Sequence, residues 1–417
     1  MLLQFNFTNF RSFRDEAILS MEASKDKSHK ESLITFRKEN ILPCVAIYGA
    51  NASGKSNIFK ALTFAIRFIR SSNERQIGRE TGIAPFAFRD NAKDTKSRFD
   101  FVFTTNDVKY EYGFVCDSEK VYDEYLYAYK SAKPSRIFER EDVNKYSYPS
   151  SLKNEMKQYE DKNTENKLFL ATATAWNCEA TRDAYNWFEK SIDTYTPESF
   201  ENMMAHQMHA DNGKHKEDLL KWIKQADFNI SGFDFSSKMV DLDPDKLVLP
   251  PGIKLDDVEI GEALEYHMNI RHAVETSDGH IKEYQLPIKS ESKGTLASMT
   301  YVIPILYALE QGRTITIDEI DTSLHPMLVR YIIEMFLDPE INKNGAQLLF
   351  NTHDVTLLDL DLFRRDQIYF VEKNNKTGAS DLYSLDEFSP RKSENIRKGY
   401  LQGRYGAIPA IGGNFEW

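Results

Sequence analysis

Ala46-Ile47-Tyr48-Gly49-Ala50-Asn51-Ala52-Ser53-Gly54-Lys55-Ser56-Asn57 is the stretch from which the rest of the chain is read. It fits G-x-x-x-x-G-K-[ST], with the apolar run Val45 to Tyr48 before it and helical spacing (Ile58, Leu62, Ala65, Ile66, Ile69) after it. Strand, glycine-rich turn and helix in that order form a phosphate-binding loop. Gly49 and Gly54 let the backbone turn tightly, so that the N–H groups from Ala50 to Asn57 converge on a phosphate at a helix N-terminus. Lys55 can reach the outer phosphate oxygens, and the Ser56 hydroxyl can hold Mg²⁺. The pattern announces a nucleoside triphosphate and leaves its use open.

The bulk composition narrows the class. The 417 residues are long for one compact domain, and 41% hydrophobic content with 27 Phe and 21 Tyr supplies a large core. A net charge of −11 argues against a surface that binds nucleic acid all over, while leaving room for local basic patches. Cys44, Cys116 and Cys178 are far apart and match no metal spacing, as expected of reduced thiols. The opening Met-Leu-Leu-Gln-Phe-Asn-Phe is too polar for a secretory signal, and no apolar run approaches the ~18 residues of a membrane span. The expectation is a soluble, cytoplasmic protein with no membrane partner.

Alternation predicts short strands at Leu2 to Phe7 and Ala17 to Met21, joined by a turn around Asn9-Phe10-Arg11-Ser12-Phe13. From Phe99 to Glu139 the period of two, carried by aromatics, predicts a meander whose rings form a sheet core. Residues 143–240 are rich in Lys, Glu and Asn and read as a helical insertion without heptads. Its Trp176, Trp187 and Trp222 are expected to anchor packing. Alternation returns near 263–288, and an apolar helix covers Leu296 to Leu309. The expected divisions are 1–142, 143–240, 241–390 and a tail, 391–417.

Two distant segments complete the chemistry. Arg313 to Glu319 is a β-branched strand ending in two carboxylates, which suits Asp318 to Mg²⁺ and Glu319 to a general base for an attacking water. A second buried strand, Gln347 to Asn351, leads to Thr352-His353-Asp354, where the His353 imidazole can hydrogen-bond a γ-phosphate. Asp318, Glu319, Asp321, His325, His353 and Asp354 also admit a metallohydrolase reading, which leaves Lys55 and the phosphate loop unexplained.

With these motifs together, the chain resembles the ATP-binding-cassette class of P-loop ATPases in its SMC/RecF/OLD-like branch. More narrowly, it resembles the abortive-infection-type AAA family ATPases of bacterial phage-defence operons. The resemblance rests on Asn9-Phe10-Arg11-Ser12-Phe13, the loop at 49–56, Asp318 to Pro326, Asn351 to Asp354 and the ending Gly403 to Pro409. It implies an α/β fold, an ABC-type ATPase head with a mixed β-sheet lobe and a parallel-sheet core with helices, carrying the 143–240 insertion. It also implies ATP and Mg²⁺ as cofactors. Lys55 and Ser56 match the phosphate-loop ligands, Asp318 the Mg²⁺ carboxylate, Glu319 the catalytic base, His353 the switch histidine and Asp321 the D-loop residue that crosses between subunits. Ser292 and Gly294, in Glu291-Ser292-Lys293-Gly294-Thr295, stand where the family's signature contacts the nucleotide of a second copy. They are all that remains here of L-S-G-G-Q. The family's Q-loop glutamine has no counterpart in the Ala84 to Arg89 region.

The implied cycle is a slow ATP hydrolase in which two copies sandwich ATP, acting as a switch on a nuclease or toxin encoded beside it. The alternative partner is DNA, as in RecF, motivated by Arg67-Arg70-Arg75-Arg79 and Arg391-Lys392-Arg397-Lys398-Arg404. A nuclease within the chain itself, as in the OLD type, would need an acidic domain after the ATPase, and too little chain follows His353 to make one.

Overall fold

The computed structural model describes residues 1–196, 199–210, 214–225, 229–241, 262–322 and 324–409. Ser323 of the D-loop stretch, residues 197–198, 211–213 and 226–228 of the expected insertion, 242–261, and 410–417 of the expected tail lie outside them. In chain order the elements are β1 (Leu2–Thr8), β2 (Ala17–Ser20), β3 (Ile34–Phe36), β4 (Glu39–Ile41), β5 (Cys44–Gly49) and α1 (Lys55–Ser71). Next come β6 (Ser97–Thr105), β7 (Val108–Cys116), β8 (Val121–Tyr129), β9 (Ser135–Glu141) and β10 (Lys145–Ser147). They are followed by α2 (Lys153–Glu160), α3 (Phe169–Ala175), α4 (Glu179–Lys190), β11 (Ile192–Tyr195), α5 (Phe200–Ala210) and α6 (Lys216–Gln225). The remainder is β12 (Ile230–Asp241), β13 (Glu262–Glu275), β14 (Ile281–Pro287), α7 (Lys293–Gln311), β15 (Thr314–Ile317), α8 (Pro326–Leu337), β16 (Gln347–Asn351), β17 (Ile368–Lys373), β18 (Ser380–Ser384) and α9 (Ile396–Leu401).

The chain divides into two compact units: one of Met1–Thr196, Ala308–Asp321 and Val329–Trp417, the other of Pro197–Tyr307 and Thr322–Leu328. The first holds a seven-stranded antiparallel sheet, β10-β9-β8-β7-β6-β1-β2, and a six-stranded sheet, β11-β15-β16-β5-β17-β18. The second sheet is parallel from β11 to β17, with β18 antiparallel at its edge. Its strands β5, β15 and β16 are buried at every position, as strands covered on both faces must be.

Helix α1 joins the two sheets. It touches β5 and β11 on one side, while Phe64 lies 5.3 Å from the Phe99 ring and Phe68 5.6 Å from that of Phe114 on the other. Phe99, Phe101, Phe103, Tyr110, Tyr112 and Phe114 are therefore sheet core, as their alternation implies, whereas Tyr125, Tyr127 and Tyr129 of β8 are only half-buried and donate their hydroxyls to Asp100, Glu139 and Glu111. Gln347 adds a polar clamp: its Oε1 accepts the Leu2 N–H at 2.7 Å and its Nε2 donates to the Leu2 carbonyl at 2.9 Å. Both groups are buried, so each must find a partner inside the protein.

The 143–240 stretch mixes helices with strands and is shared between the units. β11 pairs in parallel with β15 at the edge of the central sheet, a four-residue strand too short for its period to show between helices. The segment before it is bolted to the meander. Buried Glu124 of β8 accepts the N–H groups of Phe169 and Leu170 at the start of α3 (2.5 and 2.9 Å), a carboxylate placed at a helix N-terminus. Arg140 of β9 donates to the carbonyls of Val143 and Lys167. Trp187 and Trp222 are buried, whereas Trp176, also expected to anchor packing, is 52% exposed with Lys162 over its ring.

In the second unit, β12, β13 and β14 form an antiparallel sheet whose turn at Ser277 to Gly279 falls where alternation breaks. No helix of the described residues is long and apolar enough to cross a membrane. The Trp187 ring stacks 4.2 Å from Phe103 and is 1% exposed. Trp187→Ala is expected to lower unfolding stability by about 3–5 kcal/mol, read as a shifted midpoint in denaturant titration.

Candidate functional site

The phosphate loop leaves β5 and enters α1 with Ala52 (φ 60°) and Gly54 (φ 115°) in the left-handed region. Gly54 is required by its neighbours as well as by its backbone. A Cβ there would stand 2.5 Å from Ser380 Oγ and 2.6 Å from Ser12 Oγ. Those two hydroxyls brace the loop. Ser380 Oγ donates to the Ser53 carbonyl at 2.5 Å and hydrogen-bonds Ser12 Oγ at 2.8 Å, and Asn57 Nδ2 donates to Ser12 Oγ at 2.8 Å. Ser53 Oγ is itself buried and has no partner among the described residues, as suits a loop made to meet a polar ligand.

A cavity of about 860 Å³ opens over this loop. Asn51 through Asn57 line it together with Lys60, Lys373, Glu319 and His353. The expected base and the expected switch histidine thus share one space with the phosphate loop, although they lie far from it in sequence. Gly49 ends β5 beneath the loop, and Ala50 lines an adjoining cavity. Lys55 Nζ donates to the carbonyls of Gly49 (2.7 Å) and Ala50 (3.1 Å). Burial pulls this ammonium down to about 8, against the upward influence of Glu319, Asp321 and Asp318, which places all three carboxylates within electrostatic reach.

The acids are held by a residue that sequence reasoning passed over. Buried Asn351, at the end of β16, donates from Nδ2 to Asp318 Oδ1 at 2.6 Å and accepts the Glu319 N–H on Oδ1 at 2.5 Å. Its carbonyl accepts the Ile320 N–H at 3.2 Å. Glu319 needs this support because its φ of 57° is left-handed, a costly posture for a side-chain-bearing residue. Two positions on, the His353 N–H donates to Asp321 Oδ2 at 3.2 Å. The strand ends carrying acid, base and imidazole are thereby stitched together.

The remaining residues of the metallohydrolase reading have local duties. Asp354 Oδ1 accepts the Thr356 N–H, and His325 Nδ1 accepts the Met327 N–H. Among the described residues no group of three or more His, Cys, Asp or Glu could hold a metal ion. The donors expected for a cation, the Ser56 hydroxyl and the Asp318 carboxylate, are oxygens, as Mg²⁺ prefers; Ser56 lines the cavity, and Asp318 is not among its lining residues. Ser292 and Gly294 belong to the second unit, where Ser292 Oγ accepts the Thr295 N–H at 3.1 Å and caps α7.

Of the first basic stretch, Arg70 and Arg75 are spent within the fold, while Arg67 and Arg79 are exposed. Arg70 donates to the carbonyls of Phe188 and Ile192, and Arg75 to those of Glu80 and Thr81. In the second, Arg404 pairs with Glu394, while Arg391, Lys392, Arg397 and Lys398 are exposed.

Comparison with known proteins gives one family match, to the family described as "AAA domain, putative AbiEii toxin, Type IV TA system", over residues 44–171 and 180–359. No curated protein matches the chain. Among solved structures, it is similar to one titled "Crystal structure of the SmcHead bound to the C-winged helix domain of ScpA", at 13% identity and a TM-score of 0.38, covering 93% of this chain and 99% of that one.

Two outcomes are expected from this geometry. Asn351→Ala should lower the turnover of ATP hydrolysis about 10- to 100-fold, the range typical of residues that orient acidic ligands, with ATP affinity little changed; turnover and equilibrium binding measured side by side check it. Because phosphate favours the charged form of Lys55, ATP binding should weaken as pH rises through about 8 and take up a proton above it. Titration calorimetry in buffers of different ionisation enthalpy reads that proton, and Lys55→Arg should abolish it.

Proposed function

The chain belongs to this AAA-domain family, and on that premise we propose that it is an ATP-hydrolysing switch in bacterial defence against phage, controlling a toxic or nuclease partner encoded beside it. The single observation that carries the reading is the cavity in which the phosphate loop, Glu319 and His353 meet. Lys55 and the loop N–H groups bind the triphosphate, and His353 meets the γ-phosphate. Glu319 takes a proton from the water that attacks the γ-phosphorus, as ADP leaves. Mg²⁺, held by Ser56 and Asp318, would offset the charge of the phosphate oxygens.

The switch character is supported by Ser292, which caps a helix N-terminus whose N–H groups suit a phosphate. We assign Ser292, Gly294 and Asp321 to contacts with the nucleotide of a second copy, so that ATP joins two chains and hydrolysis releases them. Turnover is then slow, because the bound state is the signal. The family's description, which names a putative toxin and a type IV toxin–antitoxin system, supports a role in a system of that kind. The alternative, a DNA-binding repair ATPase, keeps the exposed Arg67 and Arg79 and the exposed cluster at 391–398.

Glu319→Gln is expected to bind ATP, fail to hydrolyse it and accumulate as a dimer of twice the chain's mass in light scattering. A mutant that stays monomeric with saturating ATP and Mg²⁺ would remove the sandwich from the proposal.

A further inference from the structure

The acids fix which way a triphosphate runs. In the order β15-β16-β5-β17, the carboxylates follow β15 and the imidazole follows β16, so the reacting phosphate lies on that side of the loop. The nucleoside end must leave on the other side, over the end of β17. There Lys373 lines the phosphate cavity and also a neighbouring one of about 650 Å³, and Asn51, Ala52 and Ser53 are shared by both.

Phe88 stands in that second cavity. It is 68% exposed, an unusual state for a phenylalanine beside a polar loop. The ring is nevertheless anchored. Asn9 Oδ1 accepts the Phe86 N–H at 3.2 Å, buried Phe86 meets the Phe88 ring edge-on at 5.6 Å, and the ring rests on Gly378, where a Cβ would come within 2.6 Å of it. Lys373 Nζ lies 6.0 Å from the ring centroid. Across the cavity Ala407, Ile408 and Pro409 supply a second apolar wall. An aromatic face that is anchored, exposed and flanked by a cation, at the nucleoside end of a phosphate loop, offers what a flat π-system needs.

We propose that Phe88 is the platform on which the nucleobase stacks, with Lys373 bridging the base and phosphate cavities. The proposal rests on the phosphate loop binding a nucleoside triphosphate as argued above. Gly378 has a stated part in it: its missing side chain is what lets the ring settle beside the turn between β17 and β18. Asn9 acts at one remove, as a positioning residue for the 84–88 segment.

The test compares ATP with inorganic tripolyphosphate, which has the charges but no base, by calorimetry on wild type, Phe88→Ala and Phe88→Trp. Stacking predicts that Phe88→Ala weakens ATP binding roughly tenfold or more, that Phe88→Trp retains it, and that tripolyphosphate binds all three alike. ATP bound equally by wild type and Phe88→Ala overturns the platform. So does a loss by Phe88→Ala that is equal for ATP and tripolyphosphate, since that would mark a disturbed loop. Wild type binding neither ligand instead defeats the phosphate-loop reading itself, and the platform with it.

Discussion

A loop that offers N–H groups to a phosphate can spend few of them on itself (in this chain those of Ser53 and Asn57, on the Ala50 and Gly54 carbonyls), so it must be held mainly by its carbonyls and from behind. Here that constraint is met at Gly54, where only a hydrogen leaves room for the hydroxyls of Ser12 and Ser380. Ser12 follows β1 of the antiparallel sheet, and Ser380 opens β18 of the other. The two sheets of the first unit are therefore tied at the same point that holds the loop open. A side chain at position 54 would disturb both.

The opposite wall answers a second demand, for two adjacent carboxylates with different aims. A regular strand would send Asp318 and Glu319 to opposite faces. The left-handed turn at Glu319 swings the second acid into the cavity, and Asn351 offsets the cost by taking its N–H while holding Asp318 by one oxygen. The division is economical in residues: one buried amide sets the posture of both acids. The neighbouring His353–Asp321 hydrogen bond extends that order to the imidazole's own segment.

Much of this was legible in sequence because it is local. The strand–loop–helix at 44–71, the strand ending at Asp318 and the aromatic meander each announce themselves by period and by the residues that end them. The residues that escaped notice work through contacts with remote segments. Ser380 and Lys373 carry no local signal, and Asn351 stood inside a quoted motif without a role until its partners 32 and 33 residues away were visible. β11 is hidden by its brevity, and a list of charges cannot show that within the 67–79 stretch Arg70 and Arg75 point at carbonyls while Arg67 and Arg79 stay exposed. Trp176 misled for the opposite reason, since a large apolar ring is more often buried than not.

The strand order also has a consequence in time. β5 lies between β16 and β17, and Gln347 closes on Leu2 across 345 positions of chain. A ribosome that has released the phosphate loop has yet to make both strands that flank it, so the loop is written early and mounted late. Contacts of such span are slow to form, because the intervening chain must be closed before they return any stability. Nascent chains and fragments that stop short of β16 thus lack the framework of the site. For a protein proposed to govern a harmful partner, synthesis itself delays competence until β17 has been made.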